Sequence, residues 1–237
     1  LFTGGDQRRI TETVLHCAEA TPVLHTIVSA YERGVPLVMV AAAAAACGHR
    51  MIVEGDSASA LRFGASEDAG FPGIVVEAGL GLSAFGLIDQ NFLNRRRLGR
   101  LLVACVAEDA RFGFGLCEES GMVIAGGERR LTAIGRTGVI VASVDPRQAS
   151  LRAPDFRAEG IRLNFVEPGT SFHLDTVAAD AVDRTGAGLA LLERAIEDLV
   201  REYNAEFAGG RAGVDLGQLR ASWVDEGDPR GPLLERR

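Results

Sequence analysis

Apolar residues fall into short runs broken by glycine-rich stretches, which is the pattern of strands alternating with helices. Leu1-Phe2-Thr3 reads as the end of a strand, and Gly4-Gly5-Asp6 turns it into a helix from Gln7 to about Ala20. Val35-Pro36-Leu37-Val38-Met39-Val40 reads as a second strand. It leads into a helix that opens on six alanines, Ala41 to Ala46, and runs through Cys47, Gly48, His49, Arg50, Met51 and Ile52. Residues 54–73 hold Gly55, Gly64, Gly70, Pro72 and Gly73 and read as a loop region. Ile74-Val75-Val76 and Gly86-Leu87-Ile88 read as strands or strand ends. A helix is predicted from Arg95 to about Arg111, with Leu98, Leu101, Leu102, Cys105 and Val106 at helical spacing.

Strand patterns follow at Phe112–Leu116, Met122–Ala125, Arg130–Ile134, Val139–Val144 and Ile161–Phe165. Alternating β–α units with a strand-rich end predict an α/β fold: a mainly parallel sheet covered by helices, with an antiparallel extension. This α/β domain is expected over 1–177. An added C-terminal helix is expected within 178–208, because Leu192, Ile196, Leu199 and Tyr203 share one face of Ala187–Phe207. Residues 209–237, rich in Gly, Asp and Arg, read as a flexible tail, with Trp223 as a candidate docking anchor.

A strand that turns sharply into a helix is the setting of a nucleophile elbow, where a serine sits at the turn among small residues. Here the turn has the small residues and no serine. Around it lie three distinctive blocks: Phe2-Thr3-Gly4-Gly5-Asp6-Gln7; Gly79-Leu80-Gly81-Leu82 with Asp89-Gln90-Asn91-Phe92 and Arg95 to Leu101; and Gly113-Phe114-Gly115-Leu116-Cys117-Glu118-Glu119-Ser120. Together, in this order, they resemble the serine peptidase family of cyanophycinase and alpha-aspartyl dipeptidase, over roughly residues 1–175.

The resemblance implies a class I glutamine-amidotransferase-like sandwich and a serine nucleophile, histidine base and orienting glutamate at Ala41, Asn91 and Glu118. Ala41 has no hydroxyl to attack a carbonyl, and Asn91 cannot take a proton near neutral pH. Glu118 alone is retained. The family's substrate-holding glutamine and arginines, which grip a β-aspartyl-arginine, match Gln7, Arg95, Arg97 and Arg100, and Asp89 and Gln90 belong to the same set. The bland alternative for the arginines is structural ion pairing, with Asp89 or Glu118 as partner. The family's further strand–helix unit ahead of its first block is expected to be missing here.

The resemblance therefore implies a catalytically inactive member that binds an aspartyl/arginyl peptide or pairs, as homo- or hetero-dimer, with a cyanophycinase-like subunit. An active hydrolase with another nucleophile and a purely structural subunit stand as alternatives. Cys47 is a poor replacement, since six positions past Ala41 is roughly 9 Å along a helix. Ser57 and Ser59 have no matched base.

Composition narrows the classes further. A net charge of −7 argues against general nucleic-acid binding, and every basic residue is arginine. No apolar run reaches the roughly 20 residues of a membrane span. Cys17, Cys47, Cys105 and Cys117 lack paired spacing and read as buried reduced thiols of a cytoplasmic protein rather than disulfides or a zinc site. No metal or cofactor is expected.

Overall fold

The computed structural model describes residues 1–16, 19–125, 127, 129–145, 149–152, 155–158, 161–176, 178–179, 186–207, 219–222 and 233–236. The first helix, α1 (Gln7–Val14), starts where the Asp6 carboxylate accepts from the Arg8 amide at 2.8 Å. It stops six residues short of the expected end. Thr21 takes the Val14 carbonyl with both its amide (3.0 Å) and its hydroxyl (2.8 Å). The residues between include an antiparallel pair, β1 (Leu15–His16) and β2 (Glu19–Ala20). Thr21 also caps α2 (Pro22–Glu32), with the proline in its first turn.

The expected strand at 35–40 contracts to one parallel bridge, Phe2 to Met39, held by Phe2 N–H to Val38 O (2.8 Å) and Val40 N–H to Phe2 O (3.0 Å). Pro36 has no amide to donate, and Val35, Val38 and Val40 stay about half exposed (50%, 52% and 47%), so this edge forms no longer ladder. Next come α3 (Ala42–Ala46), β3 (Arg50–Glu54), α4 (Ser57–Phe63), β4 (Ala65–Ser66), β5 (Ile74–Ala78) and β6 (Leu87–Gln90). The expected loop at 54–73 thus contains a helix, capped by Asp56 accepting from Ser59 N–H at 2.8 Å. The following helix, α5 (Leu98–Ala107), is shorter than the expected Arg95–Arg111.

The remaining elements are β7 (Phe112–Leu116), β8 (Ser120–Ala125), β9 (Arg130–Gly135), β10 (Val139–Val144), β11 (Ala149–Arg152), β12 (Asp155–Ala158), β13 (Ile161–Val166), β14 (Ser171–His173), β15 (Ala178–Ala179), α6 (Ala187–Phe207), β16 (Leu219–Ser222) and β17 (Leu233–Arg236). The largest sheet runs β16-β17-β13-β10-β7-β6. Within it only β6–β7 is parallel, with Asp89 opposite Gly115; the other pairings are antiparallel. The class is α/β as expected, but the sheet is mixed. The parallel β–α–β contribution of the first two strands is reduced to a bridge, while the hairpin-connected end of the chain supplies most of the ladder.

All six residues of β10 are buried, and alternate side chains feed two cores. Ile140, Ala142 and Val144 face a cluster with Leu101 and Leu102 of α5, whereas Val139 and Val141 face one with Phe112, Phe114 and Phe172. Helix α6 closes the first cluster. Its Leu192, Ile196, Leu199 and Tyr203 are 2%, 6%, 3% and 3% exposed and lie against the same chain's α4, α5 and β13. Burial of each such side chain is worth roughly 1.5–3 kcal/mol. Of the stretch expected to be a flexible tail, the described pieces form an antiparallel pair that joins the sheet through Leu233 opposite Arg162. Trp223 and Cys17 lie outside the described residues.

Candidate functional site: a strained elbow beside a buried carboxylate cluster

Ala41 stands between the Met39 bridge and α3 with φ 53° and ψ −120°. L-residues disfavour this conformation, and alanine has no short polar side chain to ease it. It is the sharp backbone turn of an elbow, carried by an exposed residue with only a methyl group. Helix α3 ends after Ala46 rather than running to Ile52, because the 79–83 loop takes its last carbonyls. Leu80 N–H donates to Ala46 O (2.8 Å), Leu82 N–H to Cys47 O (2.9 Å) and Gly81 N–H to Gly48 O (3.0 Å). A Cβ on Gly79 would overlap the Gly48 carbonyl oxygen, so the glycines of that block serve this docking.

The second half of the site is the turn at 91–97. Phe92 anchors it: the ring is 1% exposed, and its amide donates to Leu116 O at 3.1 Å. A Cβ on Gly115 would stand 2.5 Å from that ring, so the glycine of the third block makes room for the phenylalanine of the second. Asn91 precedes the anchor, exposed and with φ 50°, a value asparagine tolerates better than most residues. Helix α3 packs on β6, and Ala44 and Ile88 share one core cluster, so the elbow and Asn91 sit on adjoining elements.

Asp89, 1% exposed, accepts from Arg97 Nη1 (2.9 Å), Arg100 Nε (2.6 Å), Arg100 Nη2 (2.6 Å) and the Gln90 amide (3.0 Å). Arg97 also reaches Gln90 O at 2.7 Å, and Arg100 reaches Gly55 O at 2.9 Å. The fork of Arg100 on Asp89 is bidentate, the strong geometry for this pair. Burial, helped by the neighbouring charges of Arg100 and Arg95 and opposed by Asp89, pulls Arg97 below the ordinary arginine value. It remains a cation at any physiological pH.

The polar residues singled out from the sequence thus separate. Asp89, Arg97 and Arg100 are brought together and bond one another. Gln90 contributes its carbonyl, while its Oε1 is buried without a hydrogen-bond partner among the described residues. Gln7 donates through Nε2 to Ile52 O at 2.6 Å, tying α1 to β3. Arg95 is exposed, and its side chain makes no hydrogen bond or ion pair among the described residues. Glu118 turns to the backbone, its Oε1 accepting from the Asn94 amide at 3.0 Å.

Ser57 is a structural residue, which its lack of a matched base in the sequence does not reveal. Its hydroxyl donates to Arg96 O (2.6 Å) and accepts from Arg100 N–H (3.2 Å), locking the 91–97 turn to α4. The Asp-x-x-Ser spacing of 56–59 was the available signal that a helix starts there. Burial pushes the Cys47 thiol up to about 11, so little thiolate is present near neutral pH. Among the described residues no cluster of His, Cys, Asp and Glu is arranged to hold a metal, and no helix is long and apolar enough to cross a membrane.

A helix-flanked mixed sheet with a sharp turn from the Met39 bridge into α3 defines an α/β protein with an elbow-like turn. The comparisons narrow this class. The cyanophycinase of Trichormus variabilis is 32% identical over 183 residues, covering 73% of this chain and 56% of the relative; that of Nostoc sp. gives the same figures. The cyanophycinase of Synechococcus elongatus is 32% identical over 151 residues, 63% of this chain and 42% of the relative. No protein-family model matches the chain. The chain belongs to a cyanophycinase-like family and spans about half the length of the curated relatives it matches.

Proposed function

We propose that this chain is a catalytically inactive cyanophycinase-like protein that binds an aspartyl/arginyl peptide without cleaving it. The observation that carries the reading is Ala41, which holds the elbow conformation with no hydroxyl or thiol on it. Asn91, matched to the position of the base, is exposed just after β6, the strand against which α3 packs. Two other candidate nucleophiles are otherwise engaged: the Cys47 thiol is held protonated by burial, and the Ser57 hydroxyl is bonded on both sides.

Of the basic residues matched to the family's substrate set, Arg95 alone is exposed with no acidic partner among the described residues, so it is the residue that meets a ligand carboxylate. Arg97 and Arg100 act one step back, through Asp89, by fixing the turn that presents Arg95 and Asn91. Pairing with a second cyanophycinase-like subunit is the companion proposal, for which the half-exposed Val38 and Val40 beside the elbow offer an apolar edge. The second reading, a purely structural subunit, is favoured by the internal pairing of Arg97 and Arg100 with Asp89.

Calorimetry with β-aspartyl-arginine separates the two. Binding that weakens about tenfold in Arg95→Ala supports the ligand role. Absent binding, or binding indifferent to that substitution, leaves the structural reading.

A further inference from the structure

On another flank of the 91–97 turn, that turn, the residues after β7 and α6 enclose a cavity of about 450 Å³, within the size range of small-molecule sites. Neither Ala41 nor Asn91 lines it. Most of its charges are already neutralised. Arg96 meets Glu202 at 2.9 Å, Arg97 meets Asp89 at 2.9 Å, and Asp198 meets Arg201 at 3.0 Å. Two lining charges of opposite sign have no ion-pair partner among the described residues: Arg194 on α6, and Glu118 beyond β7. The Asn94 amide holds one Glu118 oxygen at 3.0 Å, which fixes the carboxylate and leaves its second oxygen uncommitted. Half-buried Leu93, Leu191 and Ala195 supply an apolar wall between polar groups.

A ligand with a single charge satisfies one of these groups and leaves the other unmet. A ligand carrying both charges, with an apolar body, satisfies all three surfaces. We propose that this cavity binds a free amino acid with an apolar side chain. Its carboxylate meets Arg194, its ammonium meets Glu118, and its side chain lies on Leu93 and Leu191. Charge-assisted hydrogen bonds at both ends make recognition depend on the zwitterion. The proposal does not rest on the elbow reading, since its probe and variants differ from those that test peptide binding.

The test is calorimetry on the full 237-residue chain with L-leucine, L-leucinamide, N-acetyl-L-leucine and L-arginine. L-leucine is expected to bind, with each blocked analogue about tenfold weaker. Arg194→Ala should abolish the discrimination against L-leucinamide. Glu118→Gln, which keeps an oxygen for the Asn94 amide, should abolish the discrimination against N-acetyl-L-leucine. No heat with L-leucine up to ~10 mM, equal binding of the blocked analogues, or tighter binding of L-arginine overturns the proposal. So does L-leucine binding unchanged in both variants, with circular dichroism confirming their fold.

Discussion

At the elbow, an exposed alanine keeps a backbone conformation unfavourable to it, and its side chain is only a methyl group. One element away, Asp89 is buried, accepts four hydrogen bonds and is forked by an arginine. The two regions differ in what holds them. The elbow is fixed from outside: the 79–83 loop grips the end of α3, and the Phe2–Met39 bridge fixes its start. The carboxylate cluster holds itself, because removing Asp89 leaves two buried guanidinium groups without their shared counter-charge. The turn at Ala41 is therefore held independently of its own side chain, whereas the Asp89 cluster cannot change without a structural cost.

The sharpest way to break this comparison is Asp89→Asn. It removes the charge that Arg97 and Arg100 share and should cost about 3–5 kcal/mol, read as a fall in Tm or urea midpoint. A loss no greater than that of an exposed substitution means the cluster is not what positions the 91–97 turn. Ala41→Gly tests the other side. Glycine accepts the positive φ freely, so the substitution should stabilise by about 1 kcal/mol, seen as a higher urea midpoint with unchanged slope. A neutral or destabilising result means that the elbow carries no strain.

A pH-dependent effect follows from Cys47 behind the elbow. Its thiol loses a proton near the ordinary 9.0 in the unfolded chain and near about 11 in the fold. Between those values the unfolded state binds fewer protons, so stability falls as pH rises through that window. Urea midpoints on either side of about pH 10 should show the decline, and Cys47→Ala should flatten it. An unchanged decline in that variant assigns the effect to other groups.

Local periodicity made much of the fold legible. Phe112–Leu116 and Val139–Val144 form strands at the expected bounds, and the helix at Ala187–Phe207 buries the expected face. The failures share a cause, which is capture by residues distant in sequence or in an unregarded cap. Thr21 stopped α1, the 79–83 loop stopped α3, and Asp56 started a helix in a glycine-rich stretch. Around the candidate site, the sequence marks Ala41 and Asn91 as residue types without a nucleophile or a base. Sequence alone left open whether Arg97 and Arg100 face a ligand or Asp89, because that depends on how β6 and α5 pack. The direction of Glu118, toward the Asn94 amide, carried no local signal at all.

The central claim is that the elbow framework persists without hydrolytic chemistry. It is tested most directly by incubating the purified chain with β-aspartyl-arginine and following free arginine by mass spectrometry. The account predicts no release above the uncatalysed background, for the native chain and for Ala41→Ser alike, since no base stands at position 91. Steady release by the native chain that disappears on substitution of a serine or cysteine would contradict it.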